Sequence, residues 1–135
     1  MIYFKLPIAP PEGSNGAANL CFVRIRKGYE NDKGLLEHEK VHVWQFWRTF
    51  GLHSLLYLIS KRYRLKAEVE AYKVQLEASG YRSDYSAPML RDKYATWISA
   101  PGWKDGYDLQ DIVTKEQALQ PVSYTHLTLP TNREV

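Results

Sequence analysis

The side chains best suited to chemistry stand together at His38-Glu39-Lys40-Val41-His42. Residues four apart on a helix lie one above the other, so both imidazoles can close on one metal ion while Glu39 reaches its flank. With Zn²⁺, the ion this HExxH spacing favours, such a site would acidify a bound water and polarise a carbonyl. Glu39 would then take a proton from that water and return it to a leaving amine. The plain alternative is two solvated helix histidines with Glu39 paired to a lysine. A catalytic zinc needs a third protein ligand, and Cys21, the only cysteine, cannot build a thiolate cage, so the search falls on carboxylates and histidines further along.

Two glutamates compete for that role. Lys66, Glu70, Lys73 and Glu77 form one stripe of opposite charges four residues apart, the pattern of a solvated helix face. Glu68 lies about 200° around from Glu70, among Leu65, Val69, Tyr72 and Leu76. A carboxylate buried there without a partner would be costly, and a metal ion is a partner. Glu68 is therefore the expected ligand. Glu70 as the ligand, or Glu68 paired with Arg64 or capping a helix, remain the alternatives. For the group facing a developing oxyanion, Tyr57, Tyr63, Tyr72, Tyr81, Tyr85 and His53 are all chemically able, and the sequence does not rank them.

These side chains need elements to hold them. Ile2, Phe4, Leu6 and Ile8 alternate with Tyr3, Lys5 and Pro7, which predicts a short edge strand stopped by Pro10-Pro11. Residues 12–18 read as loop, and Leu20 to Arg26 as a strand with Cys21, Val23 and Ile25 on one face. A long helix is expected from Gly34 to Phe50, capped by Asn31 or Asp32 and stopped by Gly51, with an apolar stripe of Leu36, Val43, Trp47 and Phe50. Ser54 to Tyr63 suits a short helix or turn, Leu65 to Ala78 a third helix and Pro88 to Ser99 a fourth. Thr114-Lys115-Glu116-Gln117 has the spacing of a capping box opening another. The predicted class is α+β: a small antiparallel sheet or hairpin at the front, then a mostly helical core.

The chain has 135 residues, 44% hydrophobic and 24% charged, which suits a single globular domain and excludes a disordered polyelectrolyte. Its 18 basic residues are interspersed with 15 acidic ones, so no dense basic stripe points to nucleic acid. The short basic run Ser60 to Lys66 suits a solvated helix end. The longest apolar run, His53 to Ile59, is far below the ~20 residues of a membrane span, and the first residues lack the features of a secretory leader. The expected place is the cytoplasm, with a peptide or protein as partner and neither membrane nor nucleic acid. Val122-Ser123-Tyr124-Thr125-His126-Leu127 resembles a translated transposase-adapter sequence from DNA library preparation. The expected domain is thus residues 1–120, continuing in the natural chain, with 121–135 a non-native tail in which His126 carries no role.

His38-Glu39-Lys40-Val41-His42 followed by a helical Glu68 resembles the gluzincin metallopeptidases, particularly the small zincin-like proteins called minigluzincins, over Leu20 to Ala78. Glu68-Val69-Glu70-Ala71-Tyr72 is similar to the ExxA-then-Asp pattern of integral-membrane prenyl-protein peptidases, with Tyr72 in place of the acidic residue. His42-Val43-Trp44-Gln45 and Tyr63-Arg64-Leu65-Lys66-Ala67-Glu68 resemble short bacterial and phage zincin-like proteins. The resemblance implies one Zn²⁺ on His38, His42 and Glu68, with Glu39 as base and a substrate strand added along Leu20 to Arg26. The non-catalytic alternative is a zinc-stabilised interaction module of bacterial or phage origin. A peptide-deformylase-like reading would enlist Cys21 as a ligand, but that family's glycine-rich and Glu-Gly-Cys segments are absent.

Overall fold

The computed structural model describes residues 1–79 and 86–119. The chain runs β1 (Phe4–Lys5), β2 (Gly16–Asn19), β3 (Phe22–Ile25), α1 (Lys33–Arg48), α2 (His53–Ile59), α3 (Lys61–Ala78), α4 (Ser86–Ser99), α5 (Gly102–Asp105) and α6 (Lys115–Leu119). This is an α+β chain with its sheet at the front, as the periodicities predict.

The sheet differs from expectation in three ways. It is mixed: β3 lies between β1 and β2, parallel to β1 and antiparallel to β2. Residues 16–18, expected as loop, belong to the strand β2. Its residues, Gly-Ala-Ala-Asn, have weak strand preference, and pairing with β3 across a two-residue turn supplies what local preference lacks. Consequently β3 is central, and the free edge beside the helices belongs to β2. Prolines 7, 10 and 11 limit β1 to two residues and block an immediate hairpin. Arg26 holds the intervening loop, donating to the carbonyls of Pro10, Pro11 and Ser14.

Helix α1 starts where Asp32 accepts from the Leu35 amide at 3.0 Å. Beyond its end, Phe50 and Gly51 take positive φ values of 54° and 88°. Only part of the expected apolar stripe on α1 is covered: Val43 is buried and Leu36 half-buried, but Trp47 and Phe50 face outward. Phe50 is 95% exposed and Trp47 45%, whereas Gly34, His38, Glu39, His42, Val43 and Gln45 are buried. Polar side chains prevail inside because they find partners on α3, and Gly34 lets the helices close: a Cβ there would lie 2.1 Å from Ser79 Oγ.

Ser60 alone separates α2 from α3, and its hydroxyl caps α3 by accepting from the Tyr63 amide at 3.2 Å. On α3 the expected face is buried, with Leu65, Val69, Tyr72 and Leu76 packing on Tyr94, Ala95 and Ile98 of α4 and on Leu109, Val113 and Ala118. The capping box forms in both directions: Gln117 accepts from the Thr114 amide at 2.9 Å and donates its own amide to Thr114 Oγ1 at 3.2 Å. Among the described residues no helix is long and apolar enough to cross a membrane. The tail from Pro121 to Val135 lies outside the described residues, as do Tyr81 and Tyr85.

Candidate metal centre

His38, His42 and Glu68 converge between α1 and α3, all three buried. The two imidazole Nε2 atoms are 3.2 Å apart. Glu68 spans them, Oε1 at 3.4 Å from His38 and Oε2 at 3.4 Å from His42. A tetrahedral ion with bonds of about 2.0–2.1 Å sets neighbouring donors about 3.3 Å apart, so this triangle has the right edge length. The donor set, two neutral nitrogens and a carboxylate, is one zinc accepts. Glu68 Oε1 is also buried without a hydrogen-bond partner among the described residues, the condition of an oxygen whose partner is a cation.

The electrostatics of the metal-free triad follow from burial and proximity. Burial works against charge on His42, yet the Glu68 carboxylate beside it wins and lifts its pKa to about 9. Burial would likewise raise Glu68, but the two imidazoles hold it well below the usual carboxylate range. Glu39, 6% exposed, is pushed up by burial against the opposing pull of His38 and His42. A carboxylate raised from its ordinary value is better matched to proton transfer near neutral pH. Gly16 of β2 lies flush against it: a Cβ there would come within 3.1 Å of Glu39 Oε2.

A cleft of about 360 Å³ opens onto these groups, with Glu39 and the triad in its lining. Gly16 to Asn19 of β2 form one wall; His53, Ser54, Tyr57 and Leu58 of α2, with Trp103 and Tyr107, form the other. Since Asn15 O accepts from Arg26 N, alternation along the antiparallel ladder turns the backbone groups of Gly16 and Ala18 outward, away from β3. The cleft is therefore bounded by a strand edge that is unpaired among the described residues. This corrects the expectation that Leu20 to Arg26 offers that edge.

The described oxyanion candidates separate clearly. Tyr57 lines the cleft and donates to Glu68 Oε2 at 2.5 Å, with burial and Glu68 keeping its hydroxyl protonated far above neutrality. His53 lines it too; burial, then the His42 charge, lower its pKa to about 4, and Tyr63 hydrogen-bonds its Nδ1 at 2.7 Å. Tyr72 packs under the His38 ring at 4.4 Å, its hydroxyl bonded to that of Tyr107. Cys21 sits in the β2–β3 turn, outside the triad.

Arg64 does not pair with Glu68. Its buried guanidinium donates to the carbonyls of Tyr57, Leu58 and Tyr107 and lies 4.3 Å from the centroid of Trp103. Lys61 meets Asp111 at 2.8 Å. The basic run is thus partly spent on structure. Glu70 does not face solvent alone either: it accepts from Gln45 Nε2 at 2.7 Å and pairs with Arg48 at 3.2 Å. Gln45, Trp103 and Tyr107 are site residues that sequence reasoning missed. Gln45, three residues after His42 on the same helix, was findable by spacing; Tyr107 carries no signal in its neighbourhood. No protein-family model, curated protein or solved structure matches this chain.

Proposed function

We propose that the chain is a zinc-dependent metallopeptidase in which His38, His42 and Glu68 hold one Zn²⁺ and Glu39 is the general base. The observation that carries this reading is the joining of a buried His-His-Glu triad and a burial-raised glutamate at the end of an open cleft. When bound, the ion would lower the pKa of a water and polarise a carbonyl. The protein's own groups do the rest. Glu39 receives the proton and delivers it to the leaving amine. An extended peptide pairs with the outward backbone groups of Gly16 and Ala18 as an added strand. Tyr57 lines the cleft beside Glu68, and its one hydroxyl proton would have to turn from Glu68 to the substrate carbonyl to meet charge developing there. The cytoplasm suits a protein with a single cysteine and no internal disulfide to form.

The test pairs zinc stoichiometry with hydrolysis of a mixed peptide library. Wild type should hold one zinc per chain and cleave peptides; Glu39→Gln should keep the metal and lose cleavage at least a hundredfold; Glu68→Ala should lose both. Stoichiometric zinc without cleavage by wild type would replace this reading with the stabilised interaction module. Absence of zinc from folded wild type would sink both.

A further inference from the structure

The two histidines of the triad are held differently. His38 Nδ1 is buried without a hydrogen-bond partner among the described residues. His42 Nδ1 lies 2.9 Å from Oε1 of Gln45, a side chain with no exposed surface. The Gln45 amide cannot turn over, because both its N–H groups are engaged on α3. Nε2 donates to the Ala67 carbonyl at 3.1 Å and to Glu70 Oε1 at 2.7 Å. An amide carbonyl only accepts, so His42 Nδ1 must carry a proton, and Nε2 is the nitrogen left to face Glu68 and His38. Glu70 is fixed in its turn by Arg48, whose two terminal nitrogens lie 3.2 and 3.4 Å from the two carboxylate oxygens and whose guanidinium covers Trp44.

We propose that Glu70 and Gln45 are positioning residues for the metal centre: Glu70 fixes the Gln45 amide, and the amide fixes the His42 ring with Nε2 presented for coordination. This rests on the metal reading above and adds to it a role for the glutamate that competes with Glu68 in the sequence. Glu70 touches no ligand atom. It acts from the partly exposed side of α3 through one buried amide, and its hydrogen-bond acceptance matters more than its charge. Outer partners of ligating histidines are typically worth ten- to a hundredfold in metal affinity.

The experiment measures Zn²⁺ affinity of the full chain by competition with a chromophoric chelator, with nitrogen NMR of the imidazoles recorded on the metal-free protein. Glu70→Leu should weaken zinc about tenfold or more at unchanged one-to-one stoichiometry and remove the hydrogen-bond shift of the His42 Nδ1–H resonance. Glu70→Gln, whose carbonyl can still accept from Gln45, should stay within about threefold of wild type and keep the wild-type imidazole spectrum. Gln45→Met should reproduce Glu70→Leu and provides the test if Glu70→Leu does not fold, as judged by thermal melting. Equal losses for Glu70→Gln and Glu70→Leu would make charge the agent and overturn the relay. Wild-type affinity in both Glu70→Leu and Gln45→Met would overturn it too, and complete loss of stoichiometric zinc in Glu70→Leu would make Glu70 a ligand. The imidazole spectra test the relay even if wild type binds no zinc, so failure of the metal reading is separable from failure of this one.

Discussion

Helix α3 has two interiors. Toward α4 it presents Leu65, Val69, Tyr72 and Leu76 to Tyr94, Ala95 and Ile98, and stability there comes from apolar area removed from water. Toward α1 it presents Glu68, the Ala67 carbonyl and Gln75 to His38, His42, Gln45 and Gly34. That second layer is as buried as the first but polar, and it depends on each group finding its partner. The difference shows a division of labour within one helix. One side supplies the folding energy that lets the other hold two imidazoles and two carboxylates, Glu39 and Glu68, out of water.

The comparison can be broken from either side. The largest effect should come from the apolar layer: Ile98→Ala, at a position with no exposed surface, should cost about 2–5 kcal/mol in urea unfolding of the metal-free chain. The zinc affinity of the folded fraction should stay within about threefold, since distant sites add independently. A tenfold loss of affinity would mean that the layers are not separable.

Next in size is the metal itself. At free zinc a hundredfold above its Kd, the chain should gain about 2.7 kcal/mol, read as a rise in melting temperature. Glu68→Ala should melt at the same temperature with and without zinc. A gain retained by that variant would place the ion elsewhere.

Smaller and graded is the pH dependence of the metal-free chain, which belongs to the polar layer alone. His42 is raised to about 9 from an unfolded value near 6.5, so its contribution is complete below ~6.5 and fades as pH climbs through 9. Glu39, also raised, contributes on the acid side and loses that contribution as pH rises through its own raised pKa. His53, lowered to about 4, contributes above ~6.5 and loses its contribution as pH drops toward 4, and Glu68, held low, keeps its own until pH falls further. Stability in chelator should therefore decline between pH 6.5 and 9. With zinc bound, the ion replaces the His42 proton, and the alkaline decline should flatten. Equal stability at pH 6.5 and 9 without metal would contradict the His42–Glu68 ion pair.

The helical layer and the triad were legible because each rests on short-range spacing. His38 and His42 are one turn apart, Glu68 is the one carboxylate among the apolar positions of α3, and Thr114 with Gln117 spells its own cap. What was hidden depends on chain segments meeting at a distance. Gly16 to Asn19 has no strand pattern because β3 and the cleft decide its conformation. The Trp47 and Phe50 stripe misled because apolar residues at helical spacing predict burial only when a partner covers them. Glu70 read as solvated because its partners, Gln45 and Arg48, sit on another helix. Tyr107 reaches the cleft from a loop with no periodicity.

Arg64 gives the cleft a mechanical character. By gripping the carbonyls of Tyr57, Leu58 and Tyr107 and stacking on Trp103, one side chain fastens the whole α2-side wall to α3. The opposite wall, β2, is held by backbone pairing with β3 along one edge only, its outer edge carrying no strand among the described residues. The two walls are thus fastened by different means, one riveted by a single side chain and the other laced by a ladder.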